Sequence, residues 1–515
     1  MRKKLLCLLL VMVTVLGSTG IAAFAGQPDR TYTYEDSVAV PSTNIYQVKT
    51  ILDETTMGIA RLTKPTDIFV DRSDRVFILD QCKYVDDNNK TKDTGRIVIL
   101  NKDYSLYKEL TAFKYGVLTL RVGSDAEGIF FRESNQSLYI ADTPNNRILV
   151  SDLDGNVSAI FGLPKDELLE KAKSFKPKKL IVDNMGIMYV VSGDPDVGVN
   201  GAMMIDSANN FLGFYGTNKL KMTAAMKIEF FWRSILTDAQ NAQSNESFQP
   251  VAFSNIFWSE DRFVYGVSPV LENMESTVVK LNALGKNVFP QSIDFYAIQT
   301  QSKASNMTIV DITVDDEGAF TVIDSKSGRL YQYDENCNLL AIFGGIGYQK
   351  GLFTQPVSLE SDSANNLLIL DAGKGTVTVM EQTYYGQKIR EANNLYNEGR
   401  YVESVEPWRD VLRMNANYIR AYVGMGKACL AMSEEEAQAE FNKGKYEQAM
   451  EFFKSGKDQD GYAEAKAGLR DEIVRRNFGL VAAVALIGMI SVLGSDQIKF
   501  IFALIAGLFT RKRGE

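Results

Sequence analysis

The residues that could do chemistry recur at one position of a repeated strand. Between about residues 60 and 380, a short apolar strand recurs six times, and the residue just before its Ile or Leu differs from copy to copy. These positions hold Asp67, Gly128, Lys179, Asn255, Asp311 and Ser358, with Glu127 beside the second. Carboxylate and amide oxygens suit Ca²⁺, but a lysine repels a cation and often neutralises buried carboxylates instead. The sequence is therefore consistent both with a ring of residues that binds a ligand and with a purely structural ring.

The composition narrows what such residues could do. The chain has 515 residues and no histidine, which removes the commonest general base, Ser-His and Cys-His pairs and imidazole metal sites. Any catalysis would use carboxylates, Lys, Tyr or an oxygen-ligated metal. Lys and Arg number 56 against 64 Asp and Glu, so the formal charge is -8. Because no broad basic field exists, nucleic acid is not an expected partner.

A repeat of short strands must position these residues. Each copy has an apolar strand, a turn, a second strand that ends in Asp in most copies, a polar turn and a third strand; the second copy spans 127–131, 137–142 and 145–150. Six copies at this spacing predict a six-bladed β-propeller over residues 26–382, since ring closure buries the faces of such sheets. We expect residues 31–53 to supply the missing outer strand of the last blade.

One copy carries a more specific pattern. Tyr-Ile-Ala-Asp-x-x-Asn-Asn-Arg-Ile, clearest from Ala141 to Ile148, resembles the NHL repeat of six-bladed propellers. The resemblance extends over nearly two thirds of the chain. It implies an NHL-like propeller fold, which serves as a binding platform or as a lyase or lactonase-like enzyme. Lactonase-like propellers hold a divalent metal near the central channel, so the resemblance also implies that the ring could bind Ca²⁺.

Residues 219–247 interrupt the strand pattern between the third and fourth copies. Their apolar residues follow helical spacing, which predicts a helical insertion. Its aromatic cluster Phe230-Phe231-Trp232 is a candidate partner surface, although such a stripe more often seals a helix onto its own domain.

The pattern becomes helical after residue 385. Gly399-Arg400-Tyr401 is echoed by Gly444-Lys445-Tyr446, about 45 residues later. Two such helix-turn-helix units over residues 386–474 are similar to TPR repeats, with an acidic insertion at 433–440. The predicted fold is therefore mainly β, with a propeller followed by a pair of TPR-like helical hairpins.

Both ends of the chain carry targeting patterns. Residues 1–25 have the basic, apolar and small-residue regions of an export signal peptide. Residues 478–510 contain two apolar stretches, which predict a C-terminal transmembrane helix or a short hairpin, followed by a basic tail at 511–515. We therefore expect a cell-membrane protein whose body lies outside the cytoplasm. Cys82, Cys337 and Cys429 permit one disulfide at most.

These features favour a membrane-anchored scaffold over an enzyme. The propeller and the helical repeats would bind a protein, a peptide or a glycan, and no cofactor is required. The candidate binding site is the channel ring formed by Asp67, Glu127, Lys179, Asn255 and Asp311. The alternative is a Ca²⁺-dependent lactonase or esterase-like propeller enzyme that uses the same ring.

Overall fold

A computed structural model describes residues 31–35, 38–86, 88–170, 172, 174–216, 252–269, 277–290, 293, 307–492, 499–500 and 502–503. The chain divides into two compact units, residues 1–387 and 388–515. The predicted signal peptide, the helical insertion at 219–247 with Phe230, Phe231 and Trp232, and the basic tail lie outside the described residues.

The first unit is a propeller of six antiparallel sheets. Before the blades lie β1 (Thr31–Glu35), β2 (Val38–Ser42), β3 (Tyr46–Leu52) and the short helix α1 (Glu54–Met57). Blade 1 comprises β4 (Asp67–Val70), β5 (Val76–Val85), β6 (Thr91–Leu100) and β7 (Leu106–Leu110), followed by the hairpin β8 (Phe113–Tyr115) and β9 (Leu118–Leu120). Blade 2 comprises β10 (Gly128–Arg132), β11 (Ser137–Asp142), β12 (Arg147–Ser151) and β13 (Val157–Phe161).

The remaining blades follow the same order. Blade 3 comprises β14 (Pro177–Val182), β15 (Met188–Ser192), β16 (Ala202–Ile205) and β17 (Phe211–Tyr215), and the described part of blade 4 comprises β18 (Asn255–Trp258), β19 (Val264–Val267) and β20 (Val278–Leu281). Blade 5 contains β21 (Ile309–Val314), β22 (Phe320–Asp324), β23 (Arg329–Tyr333) and β24 (Leu339–Gly344), and blade 6 contains β25 (Pro356–Ser361), β26 (Leu367–Asp371) and β27 (Thr376–Gln382).

The first strands of the blades form the inner wall of the ring. Each of β4, β10, β14, β18, β21 and β25 contacts the first strand of the next blade, and β25 contacts β4. Apolar side chains fill the space between blades, as where Phe77 of blade 1 stacks on Phe131 of blade 2 with ring centroids 5.0 Å apart. Burying a phenylalanine side chain contributes about 1.5–3 kcal/mol to folding. The predicted six-bladed propeller is confirmed.

The N-terminal segment closes the ring in a way that the sequence predicted only in part. Strand β3 pairs antiparallel with β27, with Leu52 opposite Val377 and Tyr46 opposite Gln382, and so forms the outer strand of blade 6. Strands β1 and β2 do not belong to that blade. They form a hairpin that extends blade 5, where Tyr32 lies opposite Ile342 of β24. The expectation that all of residues 31–53 serve the last blade was therefore wrong for the first hairpin.

The Asp that ends the second strand of a blade holds the preceding loop in place. Asp142 Oδ1 accepts the backbone N–H of Gly123 at 2.8 Å, and Arg147 Nε donates to Asp142 Oδ2 at 2.8 Å. Asn145 Nδ2 also donates to Asp142, and Asn146 adopts a left-handed backbone with φ 52°. The Asp-x-x-Asn-Asn-Arg pattern is thus a structural clamp. Equivalent buried aspartates are Asp80, Asp324 and Asp371.

The second unit is helical. Its helices are α2 (Tyr384–Asn397), which crosses the unit boundary, α3 (Tyr401–Met414), α4 (Ile419–Ala431), α5 (Glu434–Phe441), α6 (Lys445–Ser455) and α7 (Gln459–Val492). The buried ring of Trp408 packs against Gly424, where an added Cβ would lie 2.6 Å from the indole. The acidic insertion forms α5, which begins with a capping box between Ser433 and Glu436.

The end of the described chain differs from the prediction. Helix α7 is continuous from 459 to 492, so no break separates the predicted repeats from the apolar segment. Within the described part of the chain, no helix is both long enough and apolar enough to span a bilayer, so the transmembrane helix predicted over 478–510 is not found. No disulfide joins the cysteines at 82, 337 and 429, each of which lies among the described residues.

Candidate functional site

The inner strands of five blades bring polar side chains together in the channel. Asp67, Lys179, Asn255, Asp311 and Ser358 come from blades 1, 3, 4, 5 and 6. They form one connected hydrogen-bonded cluster, which we call the hub. Four of the five residues predicted for the ring belong to it. The position just before the first apolar residue of each strand therefore located most of the hub.

Asp67 connects blade 1 to three other blades. The Lys179 ammonium pairs with Asp67 Oδ1, which also accepts the hydroxyl of Ser358 at 2.9 Å. Asp67 Oδ2 accepts the backbone N–H of Ile129 in blade 2 at 2.8 Å. The Asp67 residue is only 4% exposed, so the ion pair lies in a poorly solvated environment. Removing one partner of such a pair would leave an uncompensated buried charge.

Asp311 is held from two sides. Its Oδ1 accepts from the Asn255 amide and from the Ile312 N–H at 2.8 Å. Its Oδ2 lies 2.5 Å from Ser358 Oγ and accepts the Leu359 N–H at 2.8 Å. Burial raises the pKa of Asp311 to about 6, with Asp67 adding to the rise and Lys179 opposing it. The Asp311 carboxyl therefore titrates close to neutral pH.

The hydroxyl of Ser358 couples the two carboxyls. It lies within hydrogen-bond distance of both Asp67 and Asp311, yet it has one proton to donate. When Asp311 is protonated, its carboxyl can donate to Ser358 while Ser358 donates to Asp67. Both of these protons then have an acceptor. When Asp311 is ionised, one carboxylate loses its bond from Ser358. Protonation of Asp311 therefore lets the Ser358 hydroxyl keep hydrogen bonds to both carboxyls.

Glu360 is a channel residue that sequence reasoning missed. It lies two residues beyond Ser358 on β25, and residues two apart in a strand share a face. Burial raises the pKa of Glu360 well above its usual value, and the nearby Asp311 and Asp67 carboxylates raise it further. The alternation of Ser358 and Glu360 in the sequence was the signal that could have identified it.

Glu127 lies outside the hub. Its carboxylate is 3.5 Å from the Lys178 ammonium, and both side chains are substantially exposed. The aligned position in blade 2 is Gly128, where an added Cβ would lie 2.3 Å from the backbone oxygen of Lys178. Blade 2 therefore contributes its backbone at this level of the channel, because blade 3 approaches too closely for a side chain.

The hub residues do not fit a calcium site. Ca²⁺ needs six to eight oxygen ligands directed at one point, whereas the oxygens of Asp67 and Asp311 are already engaged by protein donors. The Lys179 ammonium occupies the place beside Asp67 that a cation would need. Across the described ranges, no group of three or more Cys, Asp or Glu is arranged to hold a metal ion.

A cavity of about 750 Å³ lies over the hub, at the end of the channel where the inner strands finish. Its walls include the half-buried aromatic side chains of Phe69, Phe130 and Trp258. The turns after the inner strands form its mouth. This volume is in the range of small-molecule sites, which combine apolar walls with a few polar groups.

One arginine bridges the mouth of the cavity. Arg72 Nε in the first turn of blade 1 lies 3.3 Å from Glu260 Oε1 in blade 4 and 3.9 Å from Glu133 Oε2 in blade 2. The Arg72 side chain is 73% exposed, so these surface ion pairs are weak and can be exchanged. The backbone N–H of Arg72 also donates to Glu133 Oε1 at 2.5 Å.

The closed ring of six sheets defines the chain as a six-bladed β-propeller protein with an additional helical unit. No protein-family model matches the chain, and no curated protein gives a significant match. The NHL resemblance at 141–148 therefore stays a prediction.

Several solved structures are similar to this chain at low sequence identity. Virginiamycin B lyase from Staphylococcus aureus is 10% identical, with 62% of this chain and 97% of that chain covered and a TM-score of 0.35. The WD40 β-propeller domain of Doa1 is 9% identical over 66% of this chain and 98% of that domain, with a TM-score of 0.34. A Bacteroides thetaiotaomicron protein of unknown function is 11% identical, with coverage of 69% and 91% and a TM-score of 0.38. Likeness at this level carries no argument about activity.

Proposed function

We propose that this protein is a membrane-anchored, extracytoplasmic binding protein whose propeller cavity and helical repeats take up a protein, peptide or glycan. The cavity of about 750 Å³ carries the proposal, because it joins apolar walls to charged groups at an open mouth. The hub beneath it is internally hydrogen-bonded, which suits a rigid support for a binding surface.

Attachment to a membrane is supported by the end of helix α7. Phe478, Leu480, Val484, Ile487 and Met489 are each more than 60% exposed and lie all around the helix. A helix that is apolar on every side is normally covered by lipid or by protein. Together with the export signal predicted at 1–25, this exposed surface supports a tether that holds the propeller outside the cytoplasm.

Cell fractionation of the full-length protein tests the tether. We expect the protein in the membrane fraction, with its propeller cleaved by protease added to cells whose outer surface is accessible. Deletion of 478–510 should release it into the soluble exported fraction. Full-length protein that is recovered in the cytoplasm would contradict the proposal. A variant with Val117→Ser, which removes a fully exposed apolar side chain elsewhere, is the control and should stay in the membrane fraction.

A Ca²⁺-dependent lactonase-like activity is the alternative implied by the resemblance. The donor set of the hub does not support it, because Lys179 and backbone N–H groups already engage the carboxylates. Metal analysis of the purified protein distinguishes the two functions. Stoichiometric calcium that is lost in Asp311→Ala together with lactone hydrolysis would favour the enzyme over the binding protein.

A further inference from the structure

The charge of the cavity indicates what kind of ligand it would take. Ten carboxyl side chains line the cavity, against the three cationic side chains of Arg72, Arg132 and Lys179. Arg75 and Lys102, which lie outside the lining, pair with Asp71 and Asp74, but the carboxyls still outnumber the cations, so an anionic ligand would be repelled. A cationic ligand would gain from the field of the carboxylates, which a concave, poorly solvated site strengthens.

The three cations are already engaged by the protein. Lys179 pairs with Asp67, Arg132 Nη2 donates to the Asn184 carbonyl at 2.7 Å, and Arg72 pairs with Glu260. Asp316 and Asp362 line the same cavity and form no ion pair with any residue that the structure describes, although Asp362 accepts hydrogen bonds from Ala364 and Asn366. Of the three cations only Arg72 is largely exposed, so unpaired carboxylates are more available to a ligand than cations are.

The aromatic walls point to the same ligand independently of the carboxylates. Phe69 and Phe130 pack with ring centroids 5.2 Å apart, and both line the cavity together with Trp258. The face of an aromatic ring attracts a cation, most strongly for tryptophan, and the gain rises when the site is desolvated. Inorganic cations gain less from such walls, since they keep a tightly held water shell.

Arg72 shows that the mouth already accommodates a guanidinium group. Its side chain lies between Glu133 and Glu260, which come from different blades. Because Arg72 is largely exposed, a ligand cation can displace it from these carboxylates at little cost.

We propose that the cavity binds an organic cation, an ammonium or guanidinium group carried either by a basic side chain of a peptide or by a free amine. The inference rests on the proposed binding function and names its ligand class. Binding of a cation beside Glu360 should also release a proton. The burial of Glu360 beside Asp311 and Asp67 favours the protonated carboxyl, so a cation that enters beside it favours the ionised form and releases a proton.

Calorimetric titration of the detergent-solubilised full-length protein tests the proposal. The probes are an acetylated Gly-Arg-Gly peptide amide, the same peptide with neutral citrulline in place of arginine, and spermidine as a free amine. We expect the arginine peptide or spermidine to bind at least tenfold more tightly than the citrulline peptide. Tighter binding of the arginine peptide would identify a peptide side chain as the natural cation, and tighter binding of spermidine would identify a free amine. Heats measured in buffers of different ionisation enthalpy should show proton release.

Variants connect the binding to this cavity. Glu360→Gln and Trp258→Leu should each weaken binding of the arginine peptide about tenfold or more. Asp316→Asn removes a carboxylate of the cavity at an exposed position, so it tests the charge in a variant whose fold stays intact. Arg72→Ala should strengthen it, because Glu133 and Glu260 lose their internal partner. Glu335→Gln changes an exposed carboxylate outside the cavity lining and should have no effect.

Two results would overturn the inference. Equal binding of the arginine and citrulline peptides, lost in Trp258→Leu, would leave the cavity as a binding site but remove the cation. Binding of cations unchanged in Asp316→Asn, Glu360→Gln and Trp258→Leu would place it elsewhere on the protein. Failure of the proposed tether is a separate result, since fractionation does not depend on any cavity residue.

Discussion

Replacing Lys179 with methionine is the strongest test of the hub. The substitution keeps the length and much of the volume of the side chain but removes the ammonium that pairs with Asp67. The Asp67 and Asp311 residues are 4% and 3% exposed, so two carboxyls would remain buried without a cation. Breaking a buried ion pair by removing one partner typically costs about 3–5 kcal/mol. We expect Lys179→Met to lower the free energy of unfolding by that amount near neutral pH.

The loss should depend on pH in a defined direction. The pKa of Asp311 rises from 3.8 to about 6 on folding, so the folded state holds a proton that the unfolded state has released between these values. The contribution of Asp311 to stability therefore falls by about 3 kcal/mol as pH rises through this window, and changes no further above it. Lys179 opposes the rise in this pKa. Without the ammonium the window extends to higher pH, and the deficit of Lys179→Met should be larger at pH 8 than at pH 5.

Urea unfolding of the full-length protein, followed by far-UV circular dichroism at pH 5 and pH 8, measures both effects. Lys178→Met is the matched control, because the neighbouring lysine pairs with Glu127 at 3.5 Å on the surface and its side chain is 44% exposed. That variant should change the free energy of unfolding by less than about 1 kcal/mol. Equal stability of the two variants, or a deficit in Lys179→Met that does not change between the two pH values, would refute the account of the hub.

Two further substitutions test how blades and loops are joined. Gly128→Ala should destabilise the propeller by about 1–3 kcal/mol, because the new Cβ would meet the Lys178 backbone oxygen at 2.3 Å, whereas Gly162→Ala, with open space around it, should be nearly neutral in thermal unfolding. Asp371→Ala should leave the partly buried N–H groups of Thr354 and Gln355 without their charged acceptor, at a cost of about 1–3 kcal/mol, and should speed hydrogen exchange at these two amides. Exchange there that matches the exposed-site control Asp154→Ala would show that the clamp does not hold the loop.

The sequence predicted the hub better than the cavity above it. Asp67, Lys179, Asn255 and Asp311 could be placed together because they occupy one register position of a closed ring, and register is fixed where strands are buried. Glu127 was misplaced since it lies one residue before that position, and a shift of one residue turns a side chain to the other face. Glu360 could have been predicted by extending the same alternation by two residues.

The mouth could not be predicted in this way. The approach of Arg72 to Glu260 joins turns of different blades, and it depends on the diameter of the ring and on loop conformations that no local pattern encodes. The same holds for the first hairpin, because nothing in residues 31–42 distinguishes the edge of blade 5 from that of blade 6. An edge strand pairs with whichever neighbouring sheet edge is free. That edge is determined by the assembled propeller and not by the local sequence.

The pairing of β3 with β27 has a consequence for how the protein is made. The hydroxyl of Tyr46 accepts a hydrogen bond from the amide of Gln382, which lies 336 residues further along the chain. Contacts so distant in sequence slow folding, since a long loop must close before they form. Strand β3 therefore stays without its partner strand until nearly four hundred residues have been synthesised. During that interval the unpaired edge of β3 can pair with other strands, so association with a wrong partner competes with closure of the ring.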